Sequence, residues 1–500
     1  MLKRGKGSAW GGACLVAAVC SGVAAAEWER TAGVTPALIY TDNVCLSPDN
    51  EQDEWVGTVT PDIALRGEGS RASLDIAAMV EINSLSDSRL EDLGCAGGAG
   101  LGNRDQFAPR LRAGAHTTVV EDWAGVDASA TIDQNKISPF LPGGNDGLNR
   151  NGNTNTTYRY SVSPYVARRF KDVASLLLRY TWDEETNSAD VVGDSQQQHV
   201  ELALDSGPAS QPFSWGVQGD YDEIDYTQTR GRAEQRSELS SARVTAGYQI
   251  DRVWQVNGYY GEEWNDFVSS RDDIDGSFWD VGLRWTPNRR TTVEVGTGDR
   301  FFGSTPRFSV SHRHKRSVLE ASYRRDLTYD RNIRSRDDFL PAQDEFGNPI
   351  DPATGQPVDL SGNETTLTNS PILDERFTLS YVYQGRRARL RLYGSHSDQT
   401  RAEEGSESTF QDYGISLNRQ LSRVFGAHGD LSWSRQEPKN TIGPVTTLES
   451  DTWRLRLGVD RQLGNNLNVF ANYEFTDRQS DTRSNEYQEN RFTVSLRYTF

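Results

Sequence analysis

Residues Arg491–Phe500 leave little choice of local fold. Phe492, Val494, Leu496, Tyr498 and Phe500 share one parity, and every residue between them is polar. A period of two puts one set on each face of a β-strand and excludes an amphipathic helix. The apolar face runs on to the terminal aromatic itself.

The other end is of a different kind. Lys3, Arg4 and Lys6 precede a run of small and apolar residues from Ala9 to Val23, and Ala24-Ala25-Ala26 fits the small-x-small cleavage rule. Residues 1–26 are therefore expected to be a cleaved secretory signal peptide, with 27–500 as the folded protein. Cys14 and Cys20 fall inside that signal and lack the small-residue box of a lipid-anchored one.

After the signal, no apolar run is long enough to span a bilayer as a helix. Hydrophobic residues make up 35% of the chain and mean hydropathy is −0.67, yet aromatics reach 10%. A wall in which only alternate residues face lipid accounts for that combination. A secreted, soluble all-β protein is the alternative. With 53 basic against 71 acidic residues, the chain is no candidate for generic nucleic-acid binding.

Alternating segments of roughly 9–15 residues recur along the chain, about 22 of them with a range of about 18–26. Tight connections such as Gly67-Glu68-Gly69, Lys171-Asp172 and Gln384-Gly385 alternate with long ones such as Gly143–Thr157 and the proline-rich Arg331–Glu375. An even count with short turns on one side and long loops on the other predicts an all-β protein. It would be a single closed antiparallel transmembrane β-barrel in the outer membrane of a Gram-negative bacterium, with both termini on the short-turn side. Arg491–Phe500 then closes the wall, and its five apolar residues are the signal read by the barrel-assembly machinery. No plug-sized segment precedes the first strand region, Trp28–Val44, which disfavours a plugged, TonB-dependent-type receptor. Trp215, Trp254, Trp285, Tyr383 and Tyr498 are expected where the wall meets the membrane interfaces.

Arginine facing lipid near the midplane costs roughly 2–4 kcal/mol, so the register that turns arginine inward is expected to win. That rule sends Arg243, Arg284, Arg324, Arg389, Arg391, Arg454, Arg456, Arg491 and Arg497 into the lumen, offset by Asp220, Asp280, Glu320, Asp430 and Glu474. Inward arginines favour anions, and with acids and aromatics they suit carbohydrate polymers. An equal alternative is that they form ion-pair ladders that stabilise the wall.

Several stretches carry a more specific likeness. Val34-Thr35-Pro36-Ala37-Leu38-Ile39-Tyr40-Thr41-Asp42-Asn43-Val44 and Val59-Thr60-Pro61-Asp62-Ile63-Ala64-Leu65-Arg66-Gly67-Glu68-Gly69 are the longest, joined by Ile137-Ser138-Pro139-Phe140 and Asp205-Ser206-Gly207-Pro208. Together they resemble the PEP-CTERM system-associated outer-membrane proteins found with exosortase and exopolysaccharide gene clusters. The resemblance implies an envelope protein with a role in exopolysaccharide export, with outer-membrane lipid, polysaccharide and export proteins as partners. It brings no catalytic residues. Cys45 and Cys95 are departures from it.

The chemistry-bearing residues form no recognisable site. The six histidines make no HExxH motif, and no nucleophile elbow, Walker loop or dinucleotide fingerprint is present. Ser395-His396-Ser397-Asp398 has the residue types of an outer-membrane hydrolase without its motif. His312 and His314 could supply two metal ligands, too few for a usual site. Gly143-Gly144-Asn145-Asp146-Gly147 resembles one turn of a calcium-binding repeat and reads better as a loop. No enzyme, cofactor or metal is expected. A channel or export component is the leading function, porin-like in build. A scaffold barrel with an occluded lumen is the runner-up, and an outer-membrane hydrolase comes last. Cys45 and Cys95 follow the first and third strands on the long-loop side, so a disulfide between them is expected. The alternative is two unpaired thiols.

Overall fold

The structure is a computed structural model, and it describes residues 27–87, 95, 107–143, 148–149, 151–229, 233–334, 365, 368–439 and 449–500. The expected signal peptide, 1–26, lies outside these residues. The strands are β1 (Glu27–Thr41), β2 (Glu54–Glu68), β3 (Ala72–Leu85), β4 (Phe107–Val120), β5 (Ala124–Lys136), β6 (Thr154–Phe170), β7 (Ala174–Asn187) and β8 (Ser195–Ser206). They continue as β9 (Phe213–Tyr226), β10 (Gln235–Gln249), β11 (Trp254–Asp266), β12 (Gly276–Asn288), β13 (Thr291–Arg300), β14 (Gly303–Ser304), β15 (Arg307–Arg313) and β16 (Ser317–Thr328). The last are β17 (Ile372–Gln384), β18 (Ala388–Arg401), β19 (Glu407–Gln420), β20 (Phe425–Pro438), β21 (Ser450–Gln462), β22 (Leu467–Ser480) and β23 (Tyr487–Thr499).

Apart from β14, each strand pairs antiparallel with the next. β14 and β15 both pair with β13 and form one interrupted stave, so the wall has 22. β1 pairs antiparallel with β23, from Gly33↔Thr499 to Thr41↔Arg491, and closes the ring. Antiparallel closure of an all-antiparallel sheet requires an even number of staves, and it removes the free edges that would invite aggregation.

The register follows the alternation. Leu38, Val59, Ile63, Val244, Val281, Leu417, Leu457, Val494 and Leu496 all point outward and are exposed, the reverse of a soluble core. Cross-strand pairs keep the parity around the wall, as in Leu38↔Val494, Ala471↔Val494 and Val244↔Tyr260. A continuous outward apolar band on a closed wall is a lipid-facing surface. Aromatics mark its two borders. Trp254 stacks on Trp285 near the turn end, with ring centroids 5.5 Å apart. Tyr40 and Trp55, at 5.0 Å, and Tyr413 and Trp433, at 5.8 Å, sit near the loop end. The five interfacial aromatics expected from sequence all lie toward the short-turn end.

The strands reach further toward the loop side than expected. β7 continues through the wholly polar Asp183–Asn187, and β17 begins at Ile372 inside the expected loop Arg331–Glu375. Above the apolar band both faces of the wall meet water, so the backbone ladder continues while the alternation fades.

Candidate functional site

The inward parity of every strand lines the lumen, and all nine predicted arginines fall on it. Arg456 pairs with Glu474 at 2.6 Å and Arg454 with the same carboxylate at 3.5 Å, bridging β21 and β22. Arg491 pairs with Glu489 at 3.0 Å, and Arg284 with Glu294 at 3.1 Å. Arg497 reaches over β1 to Asp62 on β2 at 3.2 Å. Gly33 makes this reach possible, because a Cβ there would come within 2.7 Å of the Asp62 carboxylate. Arg243 donates to Gln218 Oε1 at 2.7 Å and lies over the Tyr259 ring at 5.3 Å. Arg391 is buried over the Tyr393 ring at 5.2 Å. Arg324 and Arg389 share the inward parity, opposite Arg376 and Asn418. Of the predicted acids, Asp280 receives Arg307 at 2.6 Å and Glu474 holds its two arginines, while Asp220, Glu320 and Asp430 are on the same face. At least five of the nine arginines thus belong to ion-pair ladders, which satisfy a polar interior between apolar walls.

Two loop segments fold inward and cross toward the far wall. The first joins β5 to β6. Asn153 ties it into a compact turn, donating to Ser138 O at 2.9 Å and to Leu141 O at 3.2 Å. Its Phe140 stacks on Phe410 of β19 at 6.0 Å, and Arg478 of β22 donates to Phe140 O at 2.8 Å. Arg491 donates to Asn149 Oδ1 at 3.3 Å, and Asn149 Nδ2 to Val44 O at 3.1 Å.

The second segment leaves β16 through a short helix, Asp330–Arg334, that packs against β6–β9. Arg331 is 1% exposed. Its guanidinium pairs with Asp183 and, at 3.9 Å, with Glu185 on β7, and it donates to Ser195 Oγ on β8 at 3.0 Å. Arg159 of β6 pairs with Glu185 at 2.5 Å and donates to Arg331 O at 3.2 Å. Tyr226 OH donates to Asp330 Oδ1 at 3.4 Å. Tyr329 packs with Ile224, Tyr226 and Leu239, and its burial, together with the nearby Asp222 carboxylate, pushes the phenol well above its usual value. The returning end is held as well. Thr365 donates to Gln399 Oε1 at 2.9 Å, and Gln235 to Ser370 Oγ at 2.8 Å. Beside it Arg376 and Asp374, both 1% exposed, pair at 3.2 Å.

Cys45 and Cys95 are joined by a disulfide with Cα atoms 5.5 Å apart. It packs with Ile39, Val44, Val56, Leu85 and Leu148, so it borders the first inward segment. Strand alternation separates the pieces of the candidate hydrolase motif. Ser395 and Ser397 are buried on the lumen face, whereas His396 and Asp398, 3.0 Å apart, point outward. His312 meets Thr291 at 2.8 Å at the end of β15, and His314 lies in the turn beyond. Among the described residues no group of three His, Cys, Asp or Glu is placed to hold a metal. Residues 144–147 of the calcium-repeat-like stretch lie outside those described.

Sequence reasoning missed Arg159, Asp183, Glu185, Arg331, Asp374, Arg376 and Arg478. The first three share the inward parity and were legible as charges above the apolar band. Arg331 carried no signal, since it lies beyond any alternation.

No family model matches the chain, and no curated relative matches it. Solved structures do. A variant of the ferric enterobactin receptor of Pseudomonas aeruginosa superposes with a TM-score of 0.54 at 9% identity, covering 94% of this chain and 80% of that one. The siderophore receptor PirA of Acinetobacter baumannii gives 0.53 at 8% identity, covering 94% and 81%. At such identities the likeness is one of fold: the chain shares the large closed barrel of these receptors.

Proposed function

We propose that the chain is an outer-membrane transport barrel with its short turns in the periplasm. In this reading its lumen is closed from the loop side by its own inward segments and opens for a polar envelope polymer. The observation that carries the proposal is the anchoring of the helix Asp330–Arg334 on the far wall through hydrogen bonds and ion pairs to Arg159, Asp183, Glu185 and Ser195. Such contacts release without breaking a covalent bond, and a segment held by them is a two-state element. Paired charges and arginine-backed rings, Tyr259 and Tyr393 among them, give a polar wall of mixed charge. That suits carbohydrate, and the resemblance to the PEP-CTERM-associated barrels supports exopolysaccharide as the class. Outer-membrane lipid, the barrel-assembly machinery that reads the strand ending at Phe500, and export proteins are the partners in this reading. The role is transport, not catalysis.

Single-channel recording tests it. A variant carrying Arg331→Met and Arg159→Met, which frees the helix Asp330–Arg334 from β6–β8, is expected to conduct across a planar bilayer, with the unaltered chain mostly closed. A deletion strain is expected to lose polymer export. If neither form conducts, the scaffold reading stands; the ion-paired lumen is what favours it.

A further inference from the structure

The arginines of the lumen have partners, whereas those of one rim do not. Four consecutive short turns, 289–290, 314–316, 385–387 and 421–424, connect the staves from β12 to β20. They carry Arg289, Arg290, Lys315, Arg316, Arg386 and Arg387, with Arg423 in the fourth. All are exposed. Residues 286–292, 311–319, 383–390 and 418–427 contain no Asp or Glu. Among the described residues none of the seven cations forms an ion pair. In a chain of net charge −18 this is a marked segregation. The turns of the opposite arc of the same rim instead mix signs, with Glu121, Asp122, Asp172 and Asp251 beside Arg71, Lys171 and Arg252.

We infer that this arc is a docking surface for an extended polyanion, a carboxylate-bearing polysaccharide, on the periplasmic side. The inference rests on the orientation and cargo class proposed above. Neighbouring strands lie about 4.8 Å apart, so successive turns on one rim place cations roughly every 10 Å along a shallow curve. A row of that kind matches charges repeated along a polymer. Guanidinium forks bind carboxylates bidentately, and an exposed cationic row concentrates a polyanion from solution. Sidedness separates this occupant from the lipid leaflet. Headgroups surround the whole circumference and would call for an uninterrupted cationic rim, yet the turns of the other arc mix acids with cations.

The test uses the full-length barrel in a nanodisc of zwitterionic lipid, with polygalacturonate as probe and neutral dextran as control. Saturable binding of polygalacturonate alone is expected, weakening at least about tenfold between about 50 and about 200 mM salt, as polyanion contacts do. The variant Arg289→Gln, Arg290→Gln, Lys315→Gln, Arg316→Gln, Arg386→Gln, Arg387→Gln should lose it. Arg71→Gln with Lys171→Gln and Arg252→Gln, on the other arc, should keep it. Heat-modifiable migration certifies that each variant is folded. Absence of binding to the unaltered barrel overturns the inference, as does unchanged binding by the six-fold variant. So does a variant whose only loss is co-purified anionic phospholipid, which would assign the arc to lipid. Channel recordings are not part of this readout, so a silent channel with polygalacturonate bound would sink the transport reading alone.

Discussion

Arg331→Met is the sharpest probe of the lumen. The substitution keeps an unbranched side chain and removes the guanidinium. Arg331 is 1% exposed and serves Asp183, Glu185 and Ser195, so its loss leaves buried carboxylates without one of their cations. Breaking a buried pair from one side costs about 3–5 kcal/mol. Arg159 still holds Glu185 at 2.5 Å, which puts the cost at the lower end. About 3 kcal/mol, at 1.36 kcal/mol per decade, raises the population in which this segment leaves the far wall by about a hundredfold. Single-channel recording in a planar bilayer reads that population as open probability. Arg331→Lys keeps the charge without the fork and should fall between the two. A correctly assembled Arg331→Met barrel with the open probability of the parent would refute the anchoring argument, because the segment would then be held by something other than its charge.

Further outcomes follow from the same structure. Phe500 donates its backbone N–H to Ala32 O at 2.8 Å, and its ring meets Tyr498 edge-on at 5.1 Å, so deleting it or replacing it with Asp should impair assembly, read as loss of heat-modifiable migration. Arg454→Glu with Arg456→Glu would surround Glu474 with like charges and should shift ion selectivity of the channel opened by Arg331→Met toward cations; unchanged reversal potentials would count against a lumen path along β21 and β22. Thiol labelling of unfolded, unreduced protein should leave Cys45 and Cys95 unmodified, and Cys95→Ser should lower the melting temperature. Chain entropy for a bridge of 50 residues sets an upper bound of about 4 kcal/mol on that loss.

The barrel itself was legible along the chain. A wall facing lipid on one side and water on the other forces a period of two, and alternation therefore located every stave, from Glu27–Thr41 to Tyr487–Thr499. The penalty for arginine in lipid likewise decided which face Arg454, Arg456 and Arg497 would take. What alternation could not reach lies above the membrane. There the end of β7, Asp183–Asn187, is polar on both faces, and the start of β17 puts buried Ile372 next to Asp374 and Arg376, so neither end shows a lipid-facing alternation. Tertiary structure alone decided what fills the lumen. Arg331 finds Asp183, Phe140 finds Phe410, and Arg497 finds Asp62 across the gap at Gly33. Those partners are far apart in sequence and carry no periodic mark. Closure of the ring at β1 and β23 brings them within reach, and a period read along one strand holds no information about which strands will face each other across it.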